Sequence, residues 1–295
     1  MNLSLTTEVF QSSQAISQYV ENKHIKGKKV GFVPTMGALH AGHLSLVKKA
    51  QQENDYVVVS VFVNPTQFNN PDDLANYPRN IDSDLEQLKD TRTDALFFPS
   101  VEEIYPGFPA IKPEKSKVDL ADLEKVTESK FRPSHFMGVV TVVERLFEIV
   151  HPDKSYFGEK DFQQLAVIRR MVHQLNLPVI IESCPTVREQ DGLAMSSRNL
   201  RLTKEQRTEA CRISKALFYV RDNRNNFSIE EIKSKAISII ESHGMMKVEY
   251  LEIADEESLQ SAIEWNQFSS LRCLTAVQIG NIRLIDNVKL TSGTA

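Results

Sequence analysis

Cysteine, long apolar runs and excess positive charge are all scarce in this chain, and each scarcity excludes a class of protein. The 295 residues include three cysteines and no Cys-x-x-Cys pair, so we expect reduced thiols rather than disulfides or a cysteine-based zinc or redox site. The longest apolar runs, at 56–63 and 178–181, are far too short to cross a membrane. Lys and Arg total 35 against 39 Asp and Glu, which argues against a general nucleic-acid-binding surface.

The remaining composition is that of an ordinary globular protein. Hydrophobic residues make up 41% and charged residues 25%, and the length predicts two domains at roughly 150 residues each. The first twenty residues lack the basic segment and apolar core of a secretion signal. We therefore expect a soluble, cytoplasmic protein.

Strand-like and helix-like segments alternate through the first 188 residues. Apolar runs predict buried strands at 29–34, 55–63, 94–99, 155–157 and 178–184. Helical spacing of apolar residues predicts helices at 8–22, 44–50, 80–89, 136–150 and 161–176. This alternation is typical of an α/β domain with a Rossmann-like parallel sheet covered on both faces. Ligands of such sheets bind beyond the carboxyl ends of the strands.

The pattern changes after about residue 190. Capping-box sequences at 203–206 and 228–231 predict two helices, and alternation over 248–253 predicts a half-exposed strand. Runs at 274–277 and 282–285, joined by Gly280-Asn281, predict an antiparallel hairpin. We therefore divide the chain into an α/β domain (1–188), a smaller α+β domain (189–290) and a tail (291–295).

The segment PTMGALHAGH, at residues 34–43, follows the first long strand. Glycine lets the backbone approach a ligand closely, and the start of a helix supplies N–H groups and a positive dipole for phosphate. His40 and His43 are three residues apart, so both can face one polyphosphate. The alternative is an ordinary turn with two surface histidines, but the position after a parallel strand favours the phosphate site.

Further segments follow in a fixed order, and each is weak evidence when taken alone. They are FVNPTQF (62–68), YPR (77–79), RPSHFMG (132–138), FGEKDFQQ (157–164) and MSSRN (195–199). Read singly, they are also consistent with charged helix starts, loop residues and a common surface triplet. Together with the HxGH segment they closely resemble the pantothenate synthetase (pantoate–β-alanine ligase) family of the HxGH nucleotidylyltransferase-like superfamily.

The resemblance implies that the α/β domain (1–188) is the catalytic domain that binds ATP and pantoate, and that the α+β domain (189–290) closes over the active site. It also implies a set of site residues. It makes His43, His40 and Lys160 catalytic, places Gln67 and Gln164 on pantoate, and gives Gln67 a second contact with β-alanine. It assigns ATP to the residues of the HxGH segment, the 158–161 segment and the 187–198 segment: Met36, Gly37, Ala38, Leu39, His40, Ala41, Gly42, His43, Gly158, Glu159, Lys160, Asp161, Val187, Met195, Ser196, Ser197 and Arg198.

Other candidates are less specific. The resemblance places Arg132 and His135 close to the substrate cavity, although both can also serve as helix caps. Asp82, Asp84 and Gln87 lie on one short predicted helix and offer oxygen ligands for Mg²⁺. An acidic, solvated helix start is the alternative, and Ser83 stands where relatives often carry an acidic residue.

The reaction implied by the resemblance is the ATP-dependent condensation of pantoate with β-alanine through an acyl-adenylate, with Mg²⁺ as cofactor. The implied partners are these small molecules and a second copy of the chain in a homodimer, with neither nucleic acid nor membrane. A single-domain nucleotidylyltransferase shares the HxGH loop, but Gln67, Gln164 and the second domain argue against it. Intact His40, His43, Lys160 and Arg198 argue against a non-catalytic nucleotide-binding regulator. The absence of an anticodon module or basic surface argues against a truncated tRNA synthetase.

Overall fold

The computed structural model describes residues 7–68, 71–75, 77–91, 93–120, 123, 126 and 128–290. Two compact units account for the chain, and neither is a single continuous segment. The first contains residues 1–120, 133–159 and 167–185, and the second contains 121–132, 160–166 and 186–295. The domain boundary at 188/189 stays a prediction, and the expected tail at 291–295 lies outside the described residues.

A parallel six-stranded sheet forms the centre of the first unit. Its strands are β1 (Glu8–Phe10), β2 (Val30–Thr35), β3 (Tyr56–Val61), β4 (Ala95–Phe97), β5 (Lys154–Gly158) and β6 (Ile180–Cys184). They lie in the order β1-β4-β3-β2-β5-β6, and each neighbouring pair is parallel. The predicted Rossmann-like fold is confirmed.

Helices cover both faces of this sheet. The helices up to residue 174 are α1 (Ser13–Ile25), α2 (Ala41–Glu53), α3 (Pro71–Ala75), α4 (Ile81–Lys89), α5 (Val101–Ile104), α6 (Glu128–Phe131), α7 (His135–Val150) and α8 (Phe162–Gln174). Of these, α6 and residues 162–166 of α8 belong to the second unit. Adjacent residues of β2 show the two faces, because side chains alternate along a strand. Val33 packs in one core cluster with Leu46 and Val47 of α2, whereas the ring of Phe32 lies 6.3 Å from that of Phe147 on α7.

The predicted helix over 8–22 is wrong at its start. Residues 8–10 form β1, which pairs with β4, and the helix begins only at Ser13. The side chain of Ser12 accepts the N–H of Ala15 and so caps the helix. A three-residue edge strand is too short to show a periodicity of its own. Residues 8–10 are therefore counted with the helical spacing of the residues that follow them.

The second unit is built on an antiparallel sheet of three strands, β7 (Met246–Asp255), β8 (Leu271–Ile279) and β9 (Ile282–Leu290), in that order. Two helices, α9 (Lys204–Asn223) and α10 (Ile229–Glu241), pack against it. Both predicted capping boxes are present, and Gly280 in the hairpin turn has φ +57°, a backbone conformation that favours glycine. The predicted α+β architecture is confirmed. Among the described residues, no helix combines the length and apolar character needed to span a membrane.

Candidate active site

The segment between β2 and α2 is a tight turn held by side chains from its own unit. Gly37 and Ala38 both have positive φ, at 83° and 51°, and a left-handed conformation is uncommon for alanine. The Thr35 hydroxyl accepts the N–H of Gly37 at 3.1 Å. The buried carboxylate of Asp84 accepts the N–H of Leu39 at 2.7 Å and that of Ala38 at 3.2 Å. Burial raises the pKa of the Asp84 carboxyl, against the lowering effect of these two N–H groups.

His40 and His43 lie next to each other at the start of α2. Their ring centroids are 4.1 Å apart, so the three-residue spacing brings both histidines together as predicted. His40 caps the helix, because its Nδ1 accepts the N–H of Gly42 at 3.1 Å. A neutral imidazole has one donor and one acceptor nitrogen. This bond therefore places the His40 proton on Nε2, which can donate to an anion.

Gln67 is buried in the short turn after β3, and its amide orientation is fixed. The side chain of Asn64, 1% exposed, donates to Gln67 Oε1 at 3.0 Å. Gln67 Nε2 lies 2.9 Å from Met36 Sδ, next to the HxGH turn. These two contacts fix which end of the amide carries the oxygen and which carries the N–H groups, and only the N–H end can donate to a substrate oxygen.

Helix α7 packs against the backbone of this turn. The Nδ1 atom of His135 lies 2.7 Å from the backbone oxygen of Gln67, and His135 is buried. Gly138 lets the helix approach closely, since a Cβ there would lie 2.6 Å from the backbone oxygen of Thr66. His135, predicted near the substrate cavity or as a cap, therefore contacts the residue that the resemblance assigns to pantoate.

The three residues proposed for Mg²⁺ do not share a face. Asp82 and Gln87 are exposed, whereas Asp84 is buried with both carboxylate oxygens on backbone N–H groups. Among the residues that the structure describes, no three His, Cys, Asp or Glu side chains group closely enough to hold a metal ion. The helix therefore does not fit a Mg²⁺ cage built from these side chains.

The second unit holds the other predicted contacts, beginning with the 160–164 segment. The side chain of Lys160, 17% exposed, lies 3.7 Å from the Asp161 carboxylate, and the backbone oxygen of Lys160 accepts the side-chain N–H of Asn287. Gln164 is half-buried on the first turn of α8. The preceding Gln163 is buried and accepts the N–H of Glu128, so of the two adjacent glutamines this one is structural. Gly158 and Glu159, which directly precede this segment, belong to the first unit.

The 187–198 segment folds back on itself before the MSSRN motif. Met195 donates its N–H to Val187, and Arg188 pairs with Ala194 across the loop. Ser196 caps a short 3₁₀ turn by accepting the N–H of Arg198. The side chains of 195–198 are all partly exposed, so they are accessible to an anion.

A buried ion-pair network holds the segment that contains Arg132. Glu128, 4% exposed, accepts two hydrogen bonds from the Arg283 guanidinium, at 2.6 and 3.0 Å, and one from the Tyr250 hydroxyl. Burial raises the pKa of the Glu128 carboxyl, but Arg283, Arg132 and Tyr250 together outweigh it and the net shift is downward. The Arg132 guanidinium lies 3.6 Å from the same carboxylate. Arg132 is thereby positioned by Glu128, four residues earlier, which Arg283 and Tyr250 hold from far away in the sequence.

Sequence reasoning identified the histidines and Gln67 but missed the residues that hold them. Asn64, Asp84 in its backbone-binding role, and Glu128 act through contacts with sequence separations of 3, 45 and 155 residues. The Asn64 contact had a local signal, since asparagine before proline at a strand end is a frequent turn former. The other two have no local signal.

Comparison with known proteins agrees with the resemblance seen in the sequence. A sequence model of the family described as pantoate-beta-alanine ligase matches residues 8–289. The pantothenate synthetase of Bacteroides fragilis is 49% identical over 264 residues, covering 90% of this chain and 92% of that protein. That of Porphyromonas gingivalis is 46% identical over 283 residues, covering 96% and 99%.

Solved structures agree as well. The crystal structure of pantothenate synthetase from Thermus thermophilus matches with a TM-score of 0.90 at 39% identity, covering 97% of this chain and 100% of that one. The pantoate-beta-alanine ligase of Francisella tularensis, complexed with beta-gamma ATP and beta-alanine, matches with a TM-score of 0.79 at 38% identity, covering 98% and 100%. This chain belongs to the pantoate–β-alanine ligase family.

Proposed function

We propose that this enzyme condenses pantoate with β-alanine to form pantothenate, with cleavage of ATP to AMP and pyrophosphate. The observation that carries the proposal is the family match over residues 8–289. The paired rings of His40 and His43 and the oriented amide of Gln67 give that match a chemical basis in this chain.

The reaction needs two steps, because an amine does not displace oxygen from a carboxylate at neutral pH. In the first, a pantoate carboxylate oxygen attacks the α-phosphorus of ATP, and the bond from that phosphorus to the bridging oxygen breaks. Pyrophosphate leaves and pantoyl-adenylate remains. In the second, the β-alanine amine attacks the acyl carbonyl, AMP leaves, and the nitrogen loses a proton.

The residues of the first unit contribute donors and orientation rather than a covalent intermediate. His40 donates from Nε2 to a phosphate oxygen, and His43, which lies beside it, stabilises the negative charge of the same phosphates. Gln67 directs its N–H toward a pantoate oxygen and, in the second step, lies next to β-alanine. Positioning and charge stabilisation of this kind are the main contributions that proteins make to phosphoryl and nucleotidyl transfer.

Other residues are proposed to supply charge and further hydrogen bonds. We assign Lys160, Ser196, Ser197 and Arg198 to the ATP phosphates, since ammonium, hydroxyl and guanidinium groups are effective phosphate donors. Gln164 is assigned to pantoate. The remaining contacts that the resemblance gives to ATP, from 36–43, 158–161, 187 and 195, are part of the same proposal.

Mg²⁺ is proposed to enter with the nucleotide. Mg²⁺ in ATP-using enzymes is commonly held by substrate phosphates, water and one or two carboxylates rather than by a protein cage. That mode of binding agrees with the exposure of Asp82 and Gln87 and with the engagement of Asp84 by the backbone.

A cytoplasmic location and a homodimer also belong to the proposal. The thiols of Cys184, Cys211 and Cys273 are all free, which suits a reducing compartment. Ile180 is 58% exposed on β6, an outer strand of the described sheet, and an exposed apolar residue there suits contact with a second copy.

Product analysis tests the function. With ATP, Mg²⁺, pantoate and β-alanine, we expect pantothenate, AMP and pyrophosphate in equal amounts, and none of them when pantoate is omitted. Formation of ADP and phosphate instead would contradict adenylation. Turnover only with a phosphorylated acceptor would identify a nucleotidylyltransferase.

A further inference from the structure

Asp84 occupies an unusual position for an acidic residue. It lies on α4, is 1% exposed, and is 45 residues from Leu39, whose N–H it accepts at 2.7 Å. Its second oxygen accepts the N–H of Ala38 at 3.2 Å. A buried carboxylate that binds two successive N–H groups occupies the place that a ligand anion takes in a backbone anion site.

Four backbone N–H groups of residues 37–42 already have acceptors within the protein. Those of Ala38 and Leu39 point to Asp84, that of Gly37 points to the Thr35 hydroxyl, and that of Gly42 points to His40 Nδ1. A nucleotide phosphate that meets this turn is therefore bound by the imidazoles and not by these four N–H groups.

The carboxylate also stabilises a backbone conformation that is otherwise costly. Ala38 has φ +51°, where an alanine Cβ is crowded by its own backbone. The packing is close as well, because a Cβ at Gly37 would lie 2.9 Å from Asp84 Oδ2. Asparagine has the same shape as aspartate but only one acceptor oxygen, and its NH₂ would face a backbone N–H.

We propose that Asp84 is a positioning residue, and not a magnesium ligand, that holds residues 37–39 so that His40 and His43 face the ATP phosphates. This inference deepens the proposed function and rests on it for the identity of the ligand.

The test is Asp84→Asn, with Glu86→Gln as the matched control, since Glu86 is an exposed residue of the same helix that pairs with Lys89. Three quantities are measured for each variant. They are the MgATP affinity, by calorimetry without pantoate, the steady-state kinetic constants, and the Mg²⁺ concentration that gives half-maximal rate. We expect Asp84→Asn to lower kcat/KM for ATP by about 30-fold or more, to weaken MgATP binding, and to leave the KM for β-alanine and the Mg²⁺ requirement unchanged. Glu86→Gln should match the unsubstituted enzyme in every measurement.

Three results would overturn the proposal. One is unchanged ATP binding and kcat/KM in Asp84→Asn. Another is a shift of the Mg²⁺ requirement by about tenfold or more, with activity restored at high Mg²⁺, because that result identifies a metal ligand. The third comes from the double variant that combines Asp84→Asn with Ala38→Gly. This variant can also be measured if Asp84→Asn alone fails to fold. Glycine adopts positive φ without support, so the double variant should fold and regain part of the ATP affinity, and failure to regain any contradicts the proposal.

If the proposed function itself is wrong, the measurements give a different pattern. If the unsubstituted enzyme binds MgATP but makes no pantothenate, the proposed reaction is wrong. The role of Asp84 is then still decided by the calorimetry of the two variants.

Discussion

At the scale of single residues, the candidate site depends on which atom of each side chain is a donor and which is an acceptor. His40 uses Nδ1 to cap α2, which leaves Nε2–H as a donor. Asn64 donates to Gln67 Oε1, and this bond fixes which end of that amide carries the N–H groups. In both cases a neighbouring hydrogen bond, rather than the residue type alone, decides what the side chain can do.

His40→Asn separates the two roles of that histidine. The asparagine Oδ1 can replace Nδ1 as acceptor of the Gly42 N–H, and asparagine is a favoured helix N-cap, but nothing replaces Nε2–H. We expect kcat to fall by about 100-fold while Tm changes by about 2 °C or less. Steady-state kinetics and thermal unfolding measure the two effects.

His173→Asn is the matched control, because His173 is exposed in the last turn of α8. It should leave both kcat and Tm unchanged. A normal kcat for His40→Asn would show that the Nε2 donor has no part in turnover.

At the scale of elements, the site depends on how closely two of them approach. Helix α7 packs on the turn after β3 through Gly138, and His135 at its first turn contacts the Gln67 backbone. The sequence predicted α7 to within one residue of its start, but it gave no sign that this helix packs against the turn to which we assign pantoate.

Gly138→Ala should disturb that approach. The new methyl group would lie 2.6 Å from the Thr66 oxygen, so the turn or the helix must move. We expect a loss of about 1–3 kcal/mol in the free energy of unfolding, typical of overpacking, together with a raised KM for pantoate. Denaturant unfolding and pantoate titration measure these effects.

Arg145→Ala on the same helix is the control. Its ion pair with Glu148 is exposed, so removing it should cost less than about 1 kcal/mol and leave the KM unchanged. Equal stability for Gly138→Ala and the unsubstituted protein would contradict the close approach.

Local patterns explain most of the predicted elements, and long-range contacts explain what was missed. Strands β2 and β3 and both capping boxes were predictable because apolar runs and cap residues act over a few neighbours. Strand β1 was missed because its three residues are stabilised by pairing with β4, about 87 residues later. The turn-holding role of Asp84 has the same origin, since its partners lie on another element.

At the scale of the whole molecule, the free energy of unfolding should depend on pH through Glu53. Its carboxylate is bound by the side chains of Lys49, Lys154 and Tyr156, with Lys49 the largest contribution, and its pKa is lowered from 4.5 to about 2. A carboxyl whose pKa is lowered by folding stabilises the protein fully above its unfolded pKa. That contribution is lost as the pH falls from about 4.5 to about 2.

Glu53→Gln should therefore lower Tm near pH 7 and flatten the fall of Tm below pH 4.5, so that the two curves converge in acid. Thermal unfolding between pH 7 and pH 3 measures this, with the exposed Glu86→Gln as a control that leaves the curve unchanged. A constant difference in Tm across that range would show that Glu53 has the same pKa in the folded and unfolded states.

The most direct test of the central claim is exchange of labelled pyrophosphate into ATP with Mg²⁺ and pantoate, in the absence of β-alanine. A reversible adenylation returns label to ATP without any amine, so we expect exchange that requires pantoate and is abolished when pantoate is left out. Exchange that occurs only with another acid, or no exchange while pantothenate still forms with all three substrates, would contradict a free-standing pantoyl-adenylate step in this enzyme.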